Sequence, residues 1–243
     1  MRAHVTDSVR THINMELAAT EERLVTGLEE DQVMLKLLHI SASPRAESSE
    51  SLSIARTFMA TVAELHPDVE IEEWDLWDGT LPAFGPEAIA AKYAVFAGAD
   101  HTPEQVAAWD EVRETFERLN SVDYLLFSVP MWNHGIPYIL KQLIDVVSQP
   151  GLVYGFDPAT GYTGLLTGKK AVVIYTSGVY GDGRGAAFGV DFQEPYFDDW
   201  LRWAGVQDRR AITFRPNLAV EDPEPGREAA HAAAREAAKC LVS

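Results

Sequence analysis

VDYLLFSVP, residues 122–130, is a nearly unbroken apolar run of strand length, and MWNHGIP, residues 131–137, follows it at once. A strand with one wet face would alternate polar and apolar residues, so this run fits a central parallel strand covered on both sides. Pro130 pushes Val129 into extended geometry. Pro137, having no N–H to leave unpaired, suits the first position of a helix. Beyond it Ile139, Leu140, Leu143, Ile144 and Val147 recur at helical spacing, which predicts a helix over 137–147. A buried strand, a tight connection and a helix make one half of a βαβ unit.

The same alternation extends in both directions. Upstream, VMLKLLHIS (33–41) reads as a strand. SESLSIARTFMATVAEL (49–65) reads as a helix with Leu52, Ala55, Phe58, Met59 and Val62 inward, and VEIEEWDL (69–76) as a strand with a wetter face, nearer a sheet edge. After the loop GTLPAFGP, two helices follow. The second opens with Thr102 as N-cap, Pro103 at the first position and Gln105 closing a capping box. Downstream, KKAVVIYTSG (169–178) is a buried strand, EPYFDDWLRWAG (194–205) a helix with a glycine C-cap, AITFRP (211–216) a last strand and PGREAAHAAAREAAKCL (225–241) a closing alanine-rich helix. Right-handed crossovers between five such strands give an α/β fold, a doubly wound five-stranded parallel sheet with helices on both faces. That domain is read as 33–243. Residues 1–32 are read as a separate, loosely attached extension. Within it MELAATEERLVTGLEE has Leu17, Leu24 and Leu28 on one side of a short helix, and Met15 and Met34 are alternative starts.

The formal net charge of −17 over 243 residues argues against nucleic acid or an anionic membrane as partner. A single cysteine, Cys240, excludes an internal disulfide framework and points to a reducing compartment. With no apolar run of membrane-spanning length and no signal-peptide centre, the expected location is the cytoplasm. The seven histidines show no metal-binding spacing, so no metal is expected; no G-x-S-x-G marks a hydrolase serine, and His134, without a placed carboxylate partner, is a weak candidate for an acid or base.

In doubly wound sheets ligands bind beyond the carboxyl ends of the strands, which singles out three loops. SASPRAESSES (41–51) places Ser43, Ser48, Ser49 and Ser51 with Arg45 at a helix start, where hydroxyls and free N–H groups suit a phosphate monoester; Glu50 in the first turn also suits the dipole. A serine-rich N-cap without ligand is the alternative. The dipole contributes at most about 2 kcal/mol, against about 12 kcal/mol for a nanomolar ligand, so the other loops must add contacts. In the second loop Met131, Trp132, Asn133 and His134 are expected to offer backbone N–H groups, a flat indole and an amide to a ring with carbonyls and nitrogens. The third loop is YTSGVYGDGRGAAFG (175–189). Its GDGRGA fits a loose dinucleotide pattern but neither follows the first strand nor opens a helix. GLLTGKK (164–170) is one residue short of a Walker loop, and Lys170 stands where Ser or Thr is required, so it reads as a turn.

Taken in order, SASPRAESSES, PMWNHGIPYILKQLID and GLLTGKKAVVIYTSG resemble the FMN-dependent NADH:quinone oxidoreductases, also called FMN-dependent azoreductases. The likeness runs from about residue 35 to 215. It implies a flavodoxin-like fold and a homodimer with FMN at its interface. Carried onto this chain, it implies that Ser43 and Ser49-Glu50-Ser51, with Arg45 beside them, bind the FMN phosphate. Pro130, Met131, Trp132, Asn133 and His134 would line the isoalloxazine, with Thr176, Ser177 and Gly178 at its edge. Ser177 stands where the family usually has a glycine, and the segment after Tyr180 departs from its pattern. The implied reaction is ping-pong: NADH or NADPH reduces FMN, and two electrons pass to a quinone or azo compound. A flavodoxin-type electron carrier and a cofactor-free interaction module on the same fold are the rival readings.

Overall fold

The computed structural model describes residues 34–241, and Leu35–Ser243 forms one compact unit. The expected extension over 1–32 and its short helix lie outside the described residues. The main sheet has five parallel strands, β1 (Lys36–Ser41), β2 (Glu70–Asp75), β3 (Tyr124–Pro130), β6 (Lys170–Thr176) and β7 (Asp208–Phe214), in the order β2-β1-β3-β6-β7. This is the flavodoxin-like doubly wound order expected from the alternation. The chain winds outward from β1 to β2, then returns past β1 to β3. The loops after β1 and β3 therefore part at the sheet's switch point.

Among the described residues six α-helices flank the sheet: α1 (Glu50–Leu65), α2 (Pro86–Ala97), α3 (Pro103–Asn120), α4 (Tyr138–Val147), α5 (Glu194–Ala204) and α6 (Glu224–Lys239). Strand alternation splits the core. Leu38, Ile40, Leu125, Phe127 and Val173 face α2–α5. Leu37, Leu126, Val172 and Ile174 face α1 and α6, whose Ala230, Ala234 and Ala237 are small enough to lie close. The strands β1, β3 and β6 are therefore buried on both faces. At edge strand β2 only Trp74 is fully buried.

Local details follow the sequence with three exceptions. Thr102 and Gln105 form the capping box of α3, and Gly205 ends α5 in a left-handed conformation. On α1, however, Ile54 occupies the buried stripe, while Leu52 is only half-buried. Pro137 is the N-cap of α4 rather than its first helical residue, with an extended ψ of 144°. The last strand begins at Asp208, three residues before AITFRP, because Asp208, Arg209 and Arg210 pair through their backbones with β6 despite their polarity.

A hairpin of β4 (Tyr154–Asp157) and β5 (Gly161–Gly164) between α4 and β6 was not anticipated. Asp157 Oδ1 accepts the N–H groups of Ala159 and Thr160, and Gly161 turns at φ 89°. The hairpin packs on α5: Tyr154 and Tyr162 lie 4.9 and 5.6 Å from the Trp203 ring. A Cβ on Gly164 would stand 2.4 Å from the Gly205 nitrogen.

Candidate active site

At the carboxyl end of β1, Ser43 and Ser49 are buried and Ser51 is fully buried. Ser49 is the N-cap of α1, its Oγ accepting the Leu52 N–H at 3.4 Å and lying 3.1 Å from Ser51 Oγ. The first-turn N–H groups of Glu50 and Ser51 have no acceptor among the described residues. Ser43 Oγ is buried without any hydrogen-bond partner, although such hydroxyls normally find one. The two nearby carboxylates are already taken. Arg56 holds Glu47 through contacts of 2.9 and 3.0 Å, and Arg227 holds Glu50 at 2.8 and 3.2 Å. Arg45 is exposed and carries no ion pair among the described residues. This corner of the fold is built for an anion: donors converge on it and its own negative charges are neutralised.

After β3 the chain makes a tight hairpin. Trp132 and Gly135 exchange both backbone hydrogen bonds at 2.9 Å, while Asn133 and His134 sit at φ 48° and 74°. Two consecutive positive φ angles mark a type I′ turn, and Asn and His are among the few non-glycine residues enriched there. The turn corrects one expectation. Of the four N–H groups from Met131 to His134, the first donates to Thr176 O at 2.7 Å and the second to Gly135 O. Only those of Asn133 and His134 are left for a ligand. The His134 imidazole is engaged too: Nδ1 accepts the Val190 N–H at 3.0 Å, and the His134 carbonyl accepts the Phe192 N–H.

An open cavity of about 440 Å³ lies beyond β3 and β6. Met131, Asn133 and His134 form one wall, Ser177–Tyr180 another, and Ala186–Gly189 a third. Thr176 and Ser177 are buried, and Ser177 Oγ turns back to accept the Tyr180 N–H at 3.1 Å. The Gly178 carbonyl accepts the N–H groups of Leu218 and Ala219. The serine corner stands beside this cavity because β1 pairs directly with β3, and the Ala42 N–H reaches Ser128 O. Trp77 spans the gap: its Nε1 donates to Ala42 O at 3.1 Å, and its ring lies 5.6 Å from that of Trp132 and 5.2 Å from that of Tyr138.

The third wall is clamped from below. Arg215, at the end of β7, has a side chain 4% exposed. It pairs with Asp191 at 2.9 Å, with Glu194, and with Asp182 at 3.4 Å. Burial works against its charge, but the three carboxylates outweigh it and raise its pKa. Burial, with the Glu194, Asp198 and Asp191 carboxylates, pushes the Tyr175 hydroxyl far above its ordinary value, so it stays protonated. Arg184 lies over the Phe188 ring at 4.8 Å and donates to the carbonyls of Val179 and Ala219. Neither arginine nor Trp77 stood out in the sequence. The available signal for Arg215 was a basic residue directly after a strand in a strongly acidic chain.

The described residues contain no metal-binding cluster of His, Cys, Asp and Glu. No helix among them is long and apolar enough to cross a membrane.

A family model for the flavodoxin-like fold matches residues 35–238. An FMN-dependent NADH:quinone oxidoreductase of Ruegeria pomeroyi is 42% identical over 200 residues, 82% of this chain and 98% of that protein. The FMN-dependent NADH:quinone oxidoreductase 2 of Pseudomonas syringae pv. tomato is 40% identical, over 86% of this chain and 99% of that protein. Among solved structures, an azoreductase from Bacillus anthracis superposes with a TM-score of 0.74 at 26% identity, covering 86% of this chain and 99% of that one. An FMN-dependent NADH-azoreductase of the same species in complex with FMN gives a TM-score of 0.78 over 86% of this chain and 100% of that one; at 24% identity it speaks for the fold alone.

Proposed function

Because this chain belongs to the flavodoxin-like family of FMN-dependent NADH:quinone oxidoreductases, we propose that it passes two electrons from NADH or NADPH to a quinone or azo compound, in a ping-pong sequence on bound FMN. The observation that carries the reading is the buried Ser43 hydroxyl with no partner, set beside the open first turn of α1. A phosphate monoester would satisfy both. The residues present fit FMN.

FMN supplies the hydride and two-electron chemistry that the side chains lack. The chain's part is to bind, orient and shield. Ser43, Ser49 and Ser51, the N–H groups of Glu50 and Ser51, and the free Arg45 guanidinium would hold the phosphate. Arg56 and Arg227 keep the Glu47 and Glu50 carboxylates from opposing it. The remaining N–H groups of Asn133 and His134 would meet the ring system, with Pro130 and Met131 behind it and Thr176, Ser177 and Gly178 along its edge. Trp132, backed by Trp77, offers a flat apolar wall that excludes water and stacks on a planar acceptor. His134 orients the third wall through its bond to Val190 and is not assigned as an acid or base. Protons for the reduced acceptor would come from water.

The unit 33–243 is proposed to work as a homodimer in the cytoplasm, with 1–32 as an appended segment. Beside the cavity, Tyr138, Phe192 and Tyr196 are exposed and, with Trp132 and Ile136, line an apolar groove that a second copy would cover. Steady-state rates test the sequence of events. Varying NADH at several fixed quinone concentrations should give parallel double-reciprocal lines. Intersecting lines would mean that both substrates bind together, against the ping-pong reading.

A further inference from the structure

On the α1 face, the sheet changes from apolar to polar near the carboxyl ends of its strands. Leu37, Leu126, Val172 and Ile174 give way to His39, Ser41 and Ser128. His39 is 2% exposed and Ser128 fully buried. His39 Nε2 lies 2.8 Å from Ser128 Oγ, and its Nδ1 lies 3.3 Å from Glu73 Oε2. Ser128 Oγ in turn donates to the Ser51 carbonyl at 3.3 Å, and Ser51 Oγ is 3.1 Å from Ser49 Oγ. A buried hydrogen-bonded chain thus runs from the exposed carboxylate of Glu73 to the backbone carbonyl of Ser51, the residue whose hydroxyl pairs with Ser49 at the start of α1. With Ser128 fully buried, no substrate reaches it, so the arrangement is not a hydrolytic triad.

The hydrogens in this chain cannot all be placed on a neutral imidazole. Ser128 has one hydrogen and two acceptors for it, Ser51 O and an unprotonated Nε2. If neutral His39 keeps its proton on Nδ1 for Glu73, Nε2 claims the serine hydrogen and the Ser51 carbonyl loses it. If the proton sits on Nε2, a bare Nδ1 lone pair faces a carboxylate. Only the imidazolium lets His39 donate at both ends while Ser128 donates to Ser51. Burial holds the His39 pKa below its ordinary value, Glu73 opposes that shift, Arg56 adds to it and Asp75 counters it. The groups facing the ring are therefore Glu73 and Asp75 from β2, Ser128 from β3, and Arg56 from α1. A phosphate dianion at the serine corner would be a further negative charge at the Ser128–Ser51 end of this chain, favouring the imidazolium that lets Ser128 donate to Ser51.

We propose that His39, acting through Ser128, is a positioning residue for the phosphate of FMN, and that phosphate binding draws one proton from solvent onto its imidazole. The proposal rests on the reading that the serine corner holds that phosphate. By linkage, the proton then tightens phosphate binding by the same factor as phosphate favours the proton.

The test is calorimetric titration of FMN into the full-length apoprotein at several pH values, in buffers of different ionisation enthalpy, for wild type, His39→Gln and Ser128→Ala. FMN's own phosphate titrates equally in all three, so the difference between proteins isolates His39. Wild type should take up more protons than either variant. Between pH 8 and 6 its affinity should improve relative to His39→Gln by about fivefold, the lower end of typical coupling. With riboflavin, which lacks the phosphate, the difference in proton uptake should vanish. If a variant does not fold, the wild-type His39 ring protons followed by NMR with and without inorganic phosphate give the same answer through a raised titration midpoint. Equal proton uptake in all proteins, or an unmoved midpoint, would overturn the positioning role while leaving the FMN site intact. Failure of wild type to bind FMN at any pH would overturn both.

Discussion

Replacing Arg215 with methionine should remove the clamp beneath the cavity's third wall. Methionine roughly keeps the length of the side chain but leaves three carboxylates without their cation. The three do not count equally. Asp182 is 65% exposed, so its pairing is worth at most about 1 kcal/mol. Glu194 is 31% exposed and can turn toward water. Asp191 is only 13% exposed; its Oδ1 accepts the N–H groups of Gln193 and Glu194, which pins it in place. Breaking a buried pair by removing one partner typically costs 3–5 kcal/mol. Partial exposure puts this case at the lower end, at about 3 kcal/mol. For a unit of this size that lowers Tm by about 6–12 °C. The charge origin has its own signature: the difference between the proteins should shrink in part at high salt, which screens the more exposed pairs. Urea unfolding at pH 7 in low and in high salt measures both quantities, and limited proteolysis should find new cleavage within 181–193. A variant as stable as wild type would refute the clamp. An equal loss at both salt concentrations would show that packing, not charge, carries it.

Three further outcomes are expected. Ser49→Ala with Ser51→Ala should weaken FMN binding by about a hundredfold, from two lost hydrogen bonds to a charged group; loss of the α1 N-cap should cost about 1 kcal/mol of stability as well. Unchanged FMN affinity in a fluorescence titration would misplace the phosphate. Gly164→Ala should destabilise by about 1–3 kcal/mol in urea, because its Cβ would meet the backbone at the end of α5 at 2.4 Å. His39 is held neutral by burial in the apoprotein, so the unfolded chain binds a proton that the fold does not. Its contribution is fully present above 6.5, its ordinary value, and is lost as pH falls from there through the lowered folded value. His39→Gln should flatten that part of the apoprotein's stability–pH curve, and an identical slope would count against it.

What could be read in advance follows from which forces leave a local mark. Strands β1, β3 and β6 are buried on both faces and mostly apolar, so each is visible as a run. Asp208–Arg210 gave no such mark, because an edge strand can be held by backbone pairing alone. The β4–β5 hairpin has four-residue strands without an apolar run, and its partner Trp203 lies about forty residues downstream. The serine corner and the Met131–His134 turn were legible because a helix start and two prolines punctuate them. Which N–H groups stay free in that turn was not, since it depends on Trp132 and Gly135 bonding to each other and on Thr176 from another strand. Arg215 and its three carboxylates meet only through the fold.

The central claim is that this fold binds FMN and lets NADH or NADPH reduce it on behalf of a quinone or azo acceptor. The most direct measurement is anaerobic: load the purified protein with FMN, record the flavin absorbance, add NADH, then add a quinone. Bleaching by NADH followed by full recovery with the quinone is the predicted result. Bound FMN that neither NADH nor NADPH bleaches would contradict the account and leave an electron carrier on the same fold.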